Sequence, residues 1–328
     1  MNRPYKEMFD NLPASDRLRQ EVLNMTSKER TTKRVSRLPK VTAIAAITAV
    51  LLVSTAFAAN LFGVRDIFAT KWQEETGNEI SVDQLGLIDQ LTQEIGASDT
   101  NNGVTVTVDS VTRGEGILWM LLRIDGEVPV TEDANLYAGV NMTFSPEIET
   151  AGFAYSIEDA AVREDGALMA LVRYVPPLTG EDTLLGSHDV TLCLKDLLWN
   201  GELAAEGNWE IEFSLDAMKA ADALALEEPV VVRGISLTDP EPVNVEYYDI
   251  RITPTEIWLH TDTLLGDETM VLGEWGLQME DGSEIIHNGG ATYDHPNGGM
   301  ESVYYWRVPV NLSEVVALTF GDMVIPVA

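Results

Sequence analysis

The sequence predicts a mainly β protein, with short cytoplasmic helices, one transmembrane helix, and then one or two antiparallel β-sandwich domains outside. Three observations predict it. Residues 41–62, VTAIAAITAVLLVSTAFAANLF, carry no charged side chain. The chain before that run is basic and the chain after it is strongly acidic. From Gly103 onward, short segments alternate apolar and polar residues, with Gly, Asp, Pro or Asn between them, which is the pattern of half-buried strands joined by turns.

The uncharged run is 22 residues long. As a helix it spans roughly 33 Å at about 1.5 Å per residue, and a bilayer core is roughly 30 Å thick. Charge gives the span a direction. Residues 1–40 hold ten basic and five acidic side chains, a net +5, and six of the basic ones lie between Lys28 and Lys40. The whole chain has 21 basic and 53 acidic residues, so the remainder holds 11 and 48, a net −37. Lys and Arg are retained on the cytoplasmic side, so the N-terminus is expected inside and the body, from about Val64, outside. A cleaved signal peptide competes with this reading. Ala56-Phe57-Ala58 fits an A-x-A cleavage site, and Ala59 would begin the mature chain. The long basic leader and an apolar run beyond the usual length of about 7–15 residues favour an uncleaved anchor.

The head, residues 1–40, reads as two short helices and a basic linker. Tyr5, Met8, Phe9 and Leu12 recur at helical spacing and Pro13 stops that helix. Ser15 is a plausible N-cap for a second stripe of Leu18, Val22 and Met25. Two such turns cannot bury their apolar faces alone, so Tyr5, Phe9, Leu12, Leu18 and Val22 are candidate partner-binding residues for a membrane surface or a protein groove. Past the span, residues 63–98 read as a helical stalk. Ser81-Val82-Asp83-Gln84 has the form of a capping box, and Leu85, Ile88, Leu91 and Ile95 continue a helix to Gly96.

Residues 99–226 are expected to form a first β-sandwich domain and residues 227–328 a second. GVTVTVDSVTR places Val104, Val106 and Val108 on one face. GILWMLLRID, LYAGVNMTF, ALMALVRYV, DVTLCLKDL and NWEIEFSL follow as strand candidates. Asp216 to Leu226 is either a short helix or the connection between sandwiches. VVVRGISL, VEYYDIRIT, EIWLHTDT, GEWGLQM, SVYYWRVPV, VVALTF and DMVIPV complete the second set. HNGGATYDHPNGG, from His287 to Gly299, reads as a Gly-rich loop.

No motif carries an enzyme reading. The acidic body argues against nucleic acid and anionic lipid as partners, and a solvated surface is its ordinary meaning. Asp99-Thr100-Asn101-Asn102-Gly103 approaches a calcium loop but lacks the fifth-position ligand and the closing Glu. His287, Asp294 and His295 share one segment and would suit zinc, but their spacing fits no rigid pair, so no metal or cofactor is expected. Cys193, the single cysteine, sits in VTLCLKD, where alternation places it in the core. Trp119, Trp199, Trp209, Trp258, Trp275 and Trp306 lie in or beside strand candidates and read as core rather than as a sugar platform.

The segments YKEMFDNLPASDRLRQEVLNM, AFAANLFG, NNGVTVTVDSVTRGEGILWMLLRI, EYYDIRITPTEIWLH and NLSEVVALTFGD resemble a family of Gram-positive membrane proteins of unknown function, often encoded beside extracytoplasmic-function sigma factors. The resemblance implies an anti-sigma-factor-like, single-pass regulator with an external β-rich sensor and a cytoplasmic sigma factor as partner. It brings no catalytic residues. The zinc-type anti-sigma pattern needs His and Cys in the head, and residues 1–40 contain neither. The alternative is an anchored or secreted external module that binds wall glycan or protein without signalling.

Overall fold

The computed structural model describes residues 63–128, 136–148, 154–162, 167–176, 183–236, 242–265, 269–295 and 298–327. The expectations for the head, for Tyr5, Phe9, Leu12, Leu18 and Val22, and for the 41–62 span lie outside the described residues. Among the described residues, no helix is long and apolar enough to cross a membrane.

The described chain is mainly β, and its strand pairs are antiparallel. Two helices come first, α1 (Val64–Thr76) and α2 (Val82–Leu91). A five-stranded sheet follows in the order β1-β2-β3-β6-β5. Its strands are β1 (Thr92–Asn101), β2 (Val104–Arg113), β3 (Leu118–Asp125), β5 (Ala154–Val162) and β6 (Leu168–Val175). A three-stranded sheet, β4-β7-β8, comprises β4 (Leu136–Ser145), β7 (His188–Trp199) and β8 (Glu202–Leu215). The C-terminal half forms a ten-stranded sheet in the order β13-β10-β11-β12-β16-β15-β14-β17-β18, with β9 also paired to β11. Its strands are β9 (Leu224–Leu226), β10 (Val230–Ser236), β11 (Pro242–Ile252), β12 (Glu256–Thr261), β13 (Thr269–Val271), β14 (Trp275–Met279), β15 (Glu284–Asp294), β16 (Met300–Trp306), β17 (Val315–Phe320) and β18 (Met323–Pro326).

Two cores hold these layers. The first lies between the five- and three-stranded sheets: Val104, Val106 and Val108 of β2 meet Leu192 and Leu194 of β7 and Trp209 and Ile211 of β8. The second gathers Tyr247, Ile257, Trp275, Leu277 and Phe320 of the ten-stranded sheet. It also takes Phe68 and Trp72 of α1, Ile88 of α2, and Trp119, Leu121, Met169 and Leu171 from the other face of β3 and β6. Those two strands are therefore covered on both faces. That explains why LWMLL and LMALV are unbroken apolar runs, whereas one-sided β4 alternates strictly. Phe68 stands edge-on to Trp119, ring centroids 5.7 Å apart. The two helices thus form part of the body's core.

Several local expectations change. α2 stops at Leu91, not Gly96: Thr92–Asn101 is strand, and Gly96 (φ +72°) sits at a bulge where β1 slips against β2. Left-handed backbone favours glycine there. The turn narrows to Asn102 and Gly103, both at positive φ, the two-residue hairpin that Asn-Gly favours. Residues 216–223 are not helical, and Leu224–Leu226 pairs with β11. The expected loop from His287 is strand as far as Asp294, bulged between His287 and Gly290. Cys193 is half-buried and alternates away from the core-facing Leu192 and Leu194.

Candidate functional site

The site with the most unusual chemistry lies where the β2–β3 turn, Arg113-Gly114-Glu115-Gly116-Ile117, meets the β11–β12 turn, Thr253-Pro254-Thr255-Glu256. Each turn is set by local bonds. Gly114 N–H donates to Ile117 O at 2.8 Å. Thr253 Oγ1 accepts the amides of Thr255 and Glu256 at 3.3 and 3.1 Å, a hydroxyl turn of the kind Thr and Ser form. A buried turn must also satisfy its carbonyls. Thr255 O accepts Trp306 N–H at 3.0 Å, Pro254 O accepts Val310 N–H at 2.7 Å, and Thr253 O accepts the Trp306 indole at 3.1 Å.

Glu256 is fully buried. Its Oε1 accepts the backbone amides of Glu115 and Gly116 at 3.0 and 3.4 Å. Oε2 faces Gly114 beside the Thr255 hydroxyl and accepts no well-formed hydrogen bond. Burial pushes this carboxyl up to about 7. The Thr255 hydroxyl opposes that shift, the Glu115 charge adds to it, and the two amides oppose it. A carboxyl held near neutrality by burial is a pattern shared with acid–base groups; among the described residues, its polar neighbours are the Thr255 hydroxyl and the Glu115 and Gly116 amides. Its visible work is to hold two turns together.

Around it, Arg251 of β11 forms a two-pronged ion pair with Glu115, at 2.7 and 2.6 Å. The same guanidinium lies 5.4 Å from the centre of the Trp258 ring. Gly116 packs on Trp258 and Tyr305, so closely that a Cβ there would lie 3.3 Å from the indole. Farther along β12 the surface opens. His260 stacks on Tyr248 at 4.7 Å and edge-on to His295 at 4.4 Å. Tyr248 Oη donates to Asp262 at 2.7 Å. Burial raises the Glu301 carboxyl pKa, and His295, His260 and Arg251 oppose that shift.

The sequence-read metal trio is not assembled. His287 packs on Tyr304, at 4.7 Å, and His295 joins His260 instead. Among the described residues, no three His, Cys, Asp or Glu side chains are placed to hold a metal ion. Asp99 is occupied by the amides of Thr100 and Glu210 at 2.7 and 2.9 Å, which joins β1 to β8. His188 is buried against Phe144. Trp119, Trp199, Trp209, Trp275 and Trp306 are buried, and Trp258 is half-buried. Sequence reasoning missed Glu256. The available signal was an acid placed between the apolar β11 and β12 patterns and next to Thr-Pro-Thr. A separate open groove of about 600 Å³ lies between α2 and residues 218–224, with Leu87, Leu91, Met218, Leu224, Pro254 and Leu312 among its walls.

Residues 32–125 match the model of a domain of unknown function, DUF4179. That match covers the uncharged run, both helices and the strands up to β3, including the Gly114–Ile117 turn. No curated protein matches the chain. Among solved structures, one titled "The crystal structure of the conserved domain protein from Bacillus anthracis" is similar at 11% identity. The alignment covers 70% of this chain and 77% of that one, at a TM-score of 0.42.

Proposed function

We propose that the chain is a single-pass membrane regulator, anti-sigma-factor-like, with its N-terminus in the cytoplasm and a β-rich sensing body outside. The observation that carries this reading is how the body begins. α1 starts at Val64, two residues after the uncharged run ends at Phe62, and Phe68 and Trp72 of that helix are buried in the body's core. A rearrangement of that core therefore acts on the chain at the end of the span. Tyr5, Phe9, Leu12, Leu18 and Val22 would present the signal to a cytoplasmic sigma factor, without zinc, because the head has no His or Cys. The test is co-purification of sigma factors with the full chain from detergent-solubilised membranes. Wild type is expected to retain one and Phe9→Asp to lose it. Equal retention by both, or none by wild type, sinks the reading.

A second reading is an anchored external module that binds wall glycan or protein. The groove beside α2 favours it. Under this reading, deletion of residues 1–40, with targeting restored by a neutral leader, leaves function intact.

A further inference from the structure

The two turns of the junction belong to different sheets, and one buried carboxyl joins them. Glu256 accepts both amide bonds, from Glu115 and Gly116, at its Oε1, while Oε2 is buried beside the Thr255 hydroxyl with no hydrogen bond of good geometry. Among the described residues, the side-chain ion pair beside it joins Arg251 of β11 to Glu115 of the turn, and Arg251 is half-exposed there (38% of its side chain). The Gly114–Ile117 turn forms one wall of the buried Glu256 site, so lifting that turn would admit water to a charge there. We propose that Glu256 is a proton-gated latch: neutral, it keeps the β2–β3 turn seated on β11–β12, and ionised, it releases the turn.

The charged and titratable groups around it fix the direction. Glu115 on the turn adds negative charge and Arg251 on β11 adds positive charge. Tyr305 of β16 and Tyr293 of β15 feel the Glu256 charge, while Glu301 of β16 acts on Arg251 and Tyr293, and Arg173 of β6 acts on Tyr305. Burial first, then the nearby acids, pushes Tyr293 and Tyr305 far above their ordinary range, so both stay neutral here. The folded carboxyl is raised from 4.5 to about 7. A group raised in the closed state stabilises that state at low pH and loses the contribution as pH rises through the closed-state value. Opening of the turn therefore increases between about pH 5 and about pH 8. This device stands independently of the membrane reading.

The experiment is hydrogen exchange with mass spectrometry on the full chain in detergent, corrected for the intrinsic pH dependence of exchange. Peptides covering 113–118 and 253–258 are followed, with 190–195 in β7 as the internal reference. With an opened-state value of 4.5, the opening constant of the turn is expected to rise roughly 30-fold between about pH 5.5 and about pH 8.5, while the reference stays flat. Glu256→Gln, a neutral shape match, is expected to abolish the rise. Should that variant misfold, Glu115→Gln, on a partly exposed partner, removes the neighbouring negative charge and is expected to move the midpoint to lower pH. A flat wild-type profile, an unchanged slope in Glu256→Gln, or an unmoved midpoint in Glu115→Gln overturns the latch.

Discussion

Gly114→Ala isolates the junction with one methyl group. Gly114 has no positive φ, so its glycine is required by space alone. An added Cβ would meet Glu256 Oε2 at 2.6 Å and Thr255 Cβ at 2.8 Å, with Thr255 Oγ1 closer still. Real Cβ atoms do not approach so near. Thr255 cannot step back, because it is buried and its carbonyl is bonded to Trp306 N–H. Overpacking of this kind costs about 1–3 kcal/mol. Lifting the turn also weakens two amide bonds to Glu256, each worth about 1 kcal/mol net. Alanine lowers the unfolded chain's entropy and returns about 0.4–1 kcal/mol. The net expected loss is about 2–4 kcal/mol, or roughly 5–15 °C in Tm for a body of this size. Thermal unfolding by circular dichroism measures it. Gly86→Ala is the control: that glycine lies within α2 with nothing within 4 Å of a new Cβ, so alanine should stabilise by about 0.5–1 kcal/mol. Thr255→Ala combined with Gly114→Ala should cost less than the sum of the single changes, because the closest clash is gone. An unchanged Tm in Gly114→Ala, or strict additivity in the pair, would refute the packing argument.

Other perturbations test other supports. Phe68→Ala removes a fully buried ring from the shared core and is expected to cost about 3–5 kcal/mol in urea unfolding. Gln84 is fully buried, donates to Pro309 O and accepts Asn311 N–H at 2.7 Å. Gln84→Leu strands both backbone groups and should lower stability by about 2–4 kcal/mol, whereas Val82→Ala, at an 83% exposed position, should change it by under about 0.5 kcal/mol. Arg113 is fully buried and holds Leu184 O at 3.2 Å and Asp216 O at 2.5 Å. Arg113→Met is expected to increase proteolysis between residues 183 and 187 several-fold in a timed digest.

How much of this was legible differs by element, for physical reasons. β2 was readable because one face is polar: Val104, Val106 and Val108 alternate with threonines. β3 and β6 were found as strands, but their burial on two faces was not recognised, although unbroken LWMLL and LMALV runs signal it. α2 was anticipated from its cap, and Ser81 Oγ does accept Gln84 N–H at 3.0 Å. The Gln84 side chain turns instead toward residues 309 and 311, a tertiary demand that no local pattern shows. Ile95 continued the helical stripe by coincidence, and Gly96, read as a stop, serves a bulge. Gly289 and Gly290 likewise disguised β15 as a loop, because a bulged strand and a flexible turn use the same residues. The candidate site was illegible because 140 residues separate Gly116 from Glu256 and neither turn carries a chemical motif.

The seating of α1 also sets how the body answers a pull. Tension applied at Val64 would not peel a strand from a sheet edge, where ladder bonds yield one at a time. It would load a helix held by Phe68 and Trp72, two aromatic anchors in one core. Such a joint stays nearly rigid under rising force and then fails at once. The body would therefore behave as a brittle coupling, with an abrupt threshold and little extension before it.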